Sequence, residues 1–288
     1  MNDGSTLLNQ WADAGRCELP SDSASDQALS STLMRGLEIL ALYSDQEDRL
    51  SNAEIARRLG LNKATVSRLC KTLMHVGYLR RDPKGNFRLA PRILSLSYPV
   101  LAATRWRHEL MGHMRELAEM STGNVTLAVM SDDQFVQVQT TGDPVSFPHT
   151  PEPGITGPLH RSASGRALLS LLDGQELYDK LAELRLRFPQ EFETHADLTA
   201  ASIARCRKEG FCASYGDWRP NIVAISTPLG ETEDGLRVAL SCGLPRFRAR
   251  EHVVENDLGP RMAEAARSIR MMGIFKPPFY IADKSLRP

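Results

Sequence analysis

The residues whose types and spacing first suggest chemistry lie between positions 63 and 88. Val66, Leu69 and Leu73 recur at i, i+3 and i+7, the period of one buried helical stripe. The opposite face then presents Lys63, Ala64, Thr65, Ser67, Arg68 and Lys71. Residues near the start of a recognition helix reach base edges in the major groove of DNA. Arg68 suits a bidentate contact to guanine, and the methyl of Ala64 or Thr65 suits a thymine methyl. Lys63 and Lys71 suit phosphates, which position a protein without reading sequence. Arg80, Arg81, Lys84 and Arg88 surround the turn Asp82-Pro83-Lys84-Gly85 and add cations for the backbone or minor groove.

A second set of candidates belongs to small-molecule chemistry. Ser162 and Ser164 stand at the expected start of a helix, where free amide donors and hydroxyls favour a carboxylate. A plain N-cap explains the same residues. Trp218 offers a stacking face and Arg219 a partner for a carboxylate, with an ordinary surface loop as the competing reading. His149 and His160 stand between structural and ligand-contact roles. Catalytic motifs are missing. Two residues before Ser164 stands Ser162 rather than glycine, so there is no GxSxG. HExxH, GxxxxGK[ST] and GxGxxG do not occur. Five cysteines without a CxxC pair lack zinc-finger spacing and a disulfide framework. Neither catalytic residues nor a metal or cofactor are expected.

The elements that must position these groups follow from periodicity. A helix begins near Leu33, with Leu33, Leu37, Ile39 and Leu40 on one broad face. Ser51 with Glu54 three residues later is a capping box opening a second helix, which Gly60 stops. Asn62 caps a third helix that Gly77 ends. Two short strands, 78–81 and 86–89, enclose the Pro-Gly turn as a wing. Residues 91–104 read as a linker helix kinked or broken near Pro99, followed by a helix over 105–120. Strands are expected at 125–130 and 135–140 as a hairpin. Residues 141–158, with their prolines and glycines, read as a loop. Helices follow at 162–172, 174–184 and 198–209, and strands at 211–214, 222–229 and 236–242. A last helix spans about 250–272.

The chain has 288 residues, 42% of them hydrophobic and 24% charged, which suits two packed domains. Its formal charge is zero, but unevenly spread. Residues 1–28 carry −4, residues 29–92 carry +6 and the remainder −2. A compact basic segment on a near-neutral body points to a polyanion partner. The N-terminus has no secretory pattern and no apolar run reaches membrane-helix length. These features, with the unpaired cysteines, place the expected protein in the cytoplasm.

Several segments resemble one known family. They are Arg35-Gly36-Leu37-Glu38-Ile39-Leu40, then 50–69 with Gly60-Leu61-Asn62 at the turn, then Gly77-Tyr78-Leu79 with its Asp82-Pro83 wing. The likeness continues through Pro158-Leu159-His160, Ser164-Gly165-Arg166-Ala167-Leu168-Leu169, Glu209-Gly210-Phe211, Val223-Ala224-Ile225-Ser226-Thr227-Pro228 and Val238-Ala239-Leu240-Ser241. Over roughly residues 30–273 the chain resembles the IclR family of bacterial transcription regulators. The resemblance implies an α+β protein: an N-terminal winged helix-turn-helix, a linker helix and a C-terminal GAF-like effector domain, an antiparallel sheet flanked by helices. The expected segmentation is a poorly ordered leader over 1–28, the winged module over 29–90, the linker over 91–104, the effector domain over 105–273 and a tail over 274–288. The resemblance further implies that Ser241, Ala224 and backbone at Ala163 join Ser162, Ser164 and His160 in an effector pocket, with His149 in a covering loop. Cys242 alternates away into the core. Gly243-Leu244-Pro245 departs from the family's usual Ser-Gly-Pro and removes a hydroxyl from that pocket.

The resulting expectation is a ligand-responsive transcription regulator. It binds a palindromic double-stranded DNA operator as a homodimer or homotetramer and senses a small organic or aromatic acid, with no membrane partner. Two alternatives remain at this level: an enzyme acting on a small acid with a fused DNA-binding domain, and a constitutive DNA-binding oligomer without effector. The module at 29–92 could also bind protein rather than DNA.

Overall fold

The computed structural model describes residues 29–44, 47–142 and 152–282. The expected leader, His149 and the end of the tail lie outside these residues. The chain divides into two compact units, residues 1–104 and 105–288.

In the first unit, α1 (Ser31–Ala41), α2 (Asn52–Leu59) and α3 (Lys63–His75) precede strands β1 (Leu79–Arg81) and β2 (Phe87–Leu89). The two strands pair antiparallel as a wing. The core gathers Ile39 from α1, Ile55 and Ala56 from α2, Val66, Leu69 and Cys70 from α3, and Leu79 and Phe87 from the wing. Capping residues set the helix starts. Ser51 Oγ accepts from the Glu54 amide, and Asn62 Oδ1 accepts from the Thr65 amide. Gly60 closes α2 with φ +63°, a left-handed conformation that lets the chain reverse tightly into α3.

Two expectations for this unit need correction. The first helix does not bury its whole leucine face: Ile39 is enclosed, while Leu33 and Leu37 remain 63% and 45% exposed. The small core takes one stripe of α1 and has no room for the next. The linker is not broken at Pro99. A 3-10 turn (Pro91–Ile93) leads into α4 (Leu94–Ala103), which continues through Pro99. Pro99 is the sixth of its ten residues, so the helix continues without the amide that would otherwise bond the carbonyl four residues back. No residue of α4 is buried, and Leu94, Leu96, Tyr98 and Val100 are each more than half exposed.

The second unit is built on one antiparallel sheet of six strands in the order β5-β4-β3-β8-β7-β6. These are β3 (Asn124–Ser131), β4 (Gln134–Gly142), β5 (Thr156–Pro158), β6 (Cys212–Tyr215), β7 (Ile222–Glu231) and β8 (Arg237–Pro245). The expected β3–β4 hairpin is present. The segment expected to be a loop over 141–158 is shorter than that, because Thr156–Pro158 adds an edge strand to β4. The helix expected over 105–120 is two pieces, α5 (Trp106–Glu109) and α6 (Met111–Ser121), separated at Leu110. Next come α7 (Ala163–Leu169), α8 (Gly174–Arg187) and α9 (Pro189–Glu209). The last begins nine residues before the periodicity predicted, because Pro189 at its first position presets a helical φ. Toward the C-terminus, α10 (Glu251–Val253) and α11 (Gly259–Met271) are separated by a π-turn at Val254–Leu258, and α12 (Phe279–Ala282) follows.

Side chains alternate across a strand, and here the two faces bury different chemistry. One face carries Val125, Leu127, Val223, Ile225, Leu229, Val238, Leu240 and Cys242 against Met114 and Leu117 of α6 and Met262, Ala266 and Ile269 of α11. Cys242 thus belongs to the core. The opposite face carries Ala128, Phe135, Ala239 and Cys212 against α7 and α9, and between them a polar strip described below.

Candidate functional site

Within the first unit, α3 turns a basic face outward. Lys63, Ala64, Ser67, Arg68 and Lys71 are exposed, and Thr65 is half-buried beside the Asn62 cap. Asn52 Nδ2 donates to Ser67 Oγ at 2.6 Å and so ties α2 to the exposed side of α3. The wing keeps Arg80 and Lys84 exposed. Asp82 Oδ1 accepts from the Lys84 and Asn86 amides at 2.9 and 3.0 Å, which shapes the turn. Arg81 is exposed with its guanidinium 4.7 Å over the Phe87 ring. Arg88 forms an ion pair with Asp48, so its charge is neutralised locally.

The second unit holds a buried polar strip on the α7 side of its sheet. Strand register aligns two rows. Thr126, Ser241, Ser226 and Cys212 face one another across β3, β8, β7 and β6. Two residues along, Asn124, Gly243, Ala224 and Ser214 form the next row. Ser164, on α7, meets Ser241 at 2.8 Å, and Ser241 meets Ser226 at 2.7 Å. Ser226 Oγ also lies 3.2 Å from the Leu240 carbonyl. Three buried hydroxyls therefore form one chain. A hydroxyl has one proton and two lone pairs, so the chain can run in either sense. Run toward the Leu240 carbonyl, it leaves acceptor lone pairs at Ser164. Run the other way, it delivers a donor there.

The remaining candidates divide. Ser162 is committed to structure: its Oγ accepts from the Gly165 amide at 3.0 Å and donates to the Pro158 carbonyl at 2.6 Å. Ala163 is buried, and its carbonyl accepts from the Cys212 thiol at 3.5 Å. His160 stands apart from the hydroxyl chain. Its ring stacks on Phe188 at 5.6 Å and lies beside Phe192 and His195. Burial first, then the cations Arg161, His195 and Arg166, push its pKa down to about 4. Trp218 packs edge-on against Phe135 at 5.3 Å, and the buried Arg219 guanidinium lies 4.4 Å over the Trp218 ring. Asp217, in the same segment, accepts from Arg166 Nη1 at 2.6 Å, while Arg166 Nε donates to the His160 carbonyl at 3.0 Å. Arg166 is fully buried. The glycine before it is required: a Cβ at Gly165 would fall 2.3 Å from the Leu159 backbone.

Sequence reasoning passed over Asn124, Thr126, Ser214 and Ser226 as candidates. The signal was strict alternation: Val125, Leu127, Val223 and Ile225 point to one core, so their neighbours must share the other face.

Comparison with known proteins settles the family. The IclR helix-turn-helix domain matches residues 32–83, and the bacterial transcriptional regulator IclR C-terminal domain matches residues 99–271. The chain belongs to the IclR family. An IclR family transcriptional regulator from Brucella abortus has the same fold, with 29% identity and a TM-score of 0.76, over 90% of this chain and 97% of that one. The p-hydroxybenzoate hydroxylase transcriptional activator of Acinetobacter baylyi is 23% identical over 246 residues, 83% of this chain and 90% of that protein. An IclR homologue from Microbacterium hydrocarbonoxydans, solved with 4-hydroxybenzoate, is 21% identical with a TM-score of 0.63, covering 84% of this chain and all of that one. The α+β architecture read from the sequence is thus that of IclR proteins: a DNA-binding helix-turn-helix followed by an effector-binding domain. Among the described residues no helix is long and apolar enough to cross a membrane.

Two predictions follow for the IclR C-terminal unit. His160 is neutral when folded down to about pH 4 but titrates near 6.5 when unfolded. The unfolded state therefore binds more protons between these values, and stability falls as pH drops from about 6.5 to 4. The groups facing the ring are Arg161, Arg166, Glu191 and His195. His160→Phe should flatten this part of the curve of thermal midpoint against pH. Asp217→Ala strands the Arg166 charge and should cost about 3–5 kcal/mol. Denaturant unfolding should show the loss, and Arg166→Met in the same chain should recover much of it.

Proposed function

We propose that this IclR protein represses or activates transcription by binding a palindromic operator through α3 and its wing, and that the polar strip of its second unit binds a small aromatic carboxylic acid. The observation carrying the effector assignment is the buried Ser164–Ser241–Ser226 chain. Buried hydroxyls beside the small, half-buried Ala224 and Gly243 set polar groups next to residues of little bulk, the composition that suits a small-molecule site. The 4-hydroxybenzoate complex described above suggests the ligand class.

In this reading Arg68 and Ser67 read base edges, Ala64 and Thr65 touch thymine methyls, and Lys63, Lys71, Arg80, Arg81 and Lys84 contact phosphates. Ser164, Ser241 and Ala224 line the effector site with Trp218 and Arg219 at its border, and Ala163 contributes backbone. Ser162 shapes the site through its cap, and His160 does so through the packing of the segment before α7. The protein works in the cytoplasm as a homo-oligomer, because the uncovered apolar residues of α1 and α4 require a cover and a palindrome requires two readers. It regulates and does not turn its ligand over; a steady loss of bound acid in the presence of the protein would overturn that point.

The test is operator affinity of the full chain, by fluorescence anisotropy, with and without 4-hydroxybenzoate. The acid should change operator affinity, and by linkage the operator should change acid affinity by the same factor. Unchanged affinity in both directions would favour a constitutive DNA-binding protein. For base readout, Arg68→Ala should cost about 1–3 kcal/mol and relax preference at one base pair. Lys84→Ala should weaken binding to all sequences alike and reduce the salt slope by about one. Equal behaviour of the two variants would sink the assignment of Arg68 as base reader.

A further inference from the structure

We infer that Asn124 is the specificity-determining residue of the effector site, reading a hydroxyl group at the end of the ligand remote from the carboxylate. The inference rests on the site proposed above and adds the chemistry of its far end.

Asn124 opens β3 and is 3% exposed, yet neither its Nδ2 nor its Oδ1 has a hydrogen-bond partner among the described residues. A buried carboxamide left wholly unpaired is destabilising, so native proteins rarely keep one without a use. Register places it on the α7 face, in the row Asn124, Gly243, Ala224, Ser214. The glycine beside it leaves room for at least a methyl group. A Cβ at Gly243 would meet only Ile222 Cγ2 at 3.8 Å and the Asn124 carbonyl oxygen at 3.9 Å. On the next strand, Gln137 is also buried with an unpartnered Oε1.

A carboxamide offers one acceptor and a donor pair side by side. A hydroxyl answers both, donating to Oδ1 and accepting from Nδ2. Strand spacing and rise put the Asn124 Cα roughly 8 Å from that of Ser241 and 12 Å from that of Ser226. One benzene ring with para substituents spans that interval between side chains. The ligand class is therefore a para-hydroxylated aromatic acid, its carboxylate at the serine chain and its hydroxyl at Asn124.

The test is calorimetric titration of the full chain with 4-hydroxybenzoate, 4-methoxybenzoate and benzoate. The wild-type chain should prefer the hydroxyl compound at least about tenfold over both others, since the methoxy group only accepts and benzoate does neither. Asn124→Leu should erase that preference and bring 4-hydroxybenzoate to the affinity of benzoate. Its thermal midpoint without ligand should be equal or higher, because an unpaired buried amide has been removed, and operator binding should be unchanged. Asn124→Ala should erase the preference in the same way. A preference that survives in both variants overturns the inference, as does a marked fall in the Asn124→Leu midpoint, which would give Asn124 a structural partner. Binding of all three acids with equal affinity overturns the hydroxyl reading while leaving the acid site standing. Failure of every acid to bind overturns the site and this inference together.

Discussion

A charge enclosed in the second unit sets much of its architecture. Arg166 is fully buried, and a guanidinium removed from water must be paired and hydrogen-bonded. Its partners come from two other segments: Asp217 from the loop before β7, and the carbonyl of His160 from the turn before α7. Thr199 of α9 donates to that same carbonyl at 2.5 Å. One guanidinium and one carbonyl thus pin α7, α9, the Trp218 loop and the segment after β5 to one another. Ser164, two residues before Arg166, is held against β8 by this arrangement.

The sheet beneath follows a simpler constraint. With period-two alternation, a strand buried on both faces must supply two sets of side chains. One set here is aliphatic and packs on α6 and α11. The other is small or polar, and packs tightly only where α7 presses on Ala239, Ala128 and Cys212. Between them, Ala224 and Gly243 lack the bulk to fill the space. On this face, then, residues of little bulk stand beside buried polar groups.

Local signals made the first unit legible. Capping residues, glycine stops and a three-residue turn act within a few positions, so the helix-turn-helix and its wing are where the sequence places them. What failed there was a surplus: Leu33 and Leu37 carry the period of a buried face, but they stay exposed among the described residues. Pro99 misled in the other direction, since proline chemistry alone does not say whether the helix around it recovers. In the second unit the strands were legible but their partners were not. Register depends on contacts far apart in sequence, such as Thr126 with Ser241 with Ser226. Serine caps were read as ligand donors for the same reason: from sequence, Ser162 and Ser164 look alike, and only the fold commits one to a backbone cap and the other to the hydroxyl chain. Asn124 was invisible because a polar residue at a strand end reads as a turn residue until the strand is seen to be central.

The placement of Asn124 also ties the polar strip to α6. It follows α6 by only two residues, Thr122 in the left-handed region at φ 51° and Gly123. A Cβ at Gly123 would lie 2.8 Å from the Gly243 carbonyl oxygen and 2.9 Å from Cys242 Sγ, so the chain there presses directly on β8. The Cys242 thiol in turn donates to Ser121 Oγ at 3.3 Å, at the end of α6. A close-packed junction of this kind transmits a displacement instead of absorbing it. The N-terminal end of α6 lies seven residues beyond Thr104, the last residue of the DNA-binding unit. Among the polar residues of the strip, Asn124 stands nearest in sequence to the end of α6, the helix that leads back along the chain toward α4.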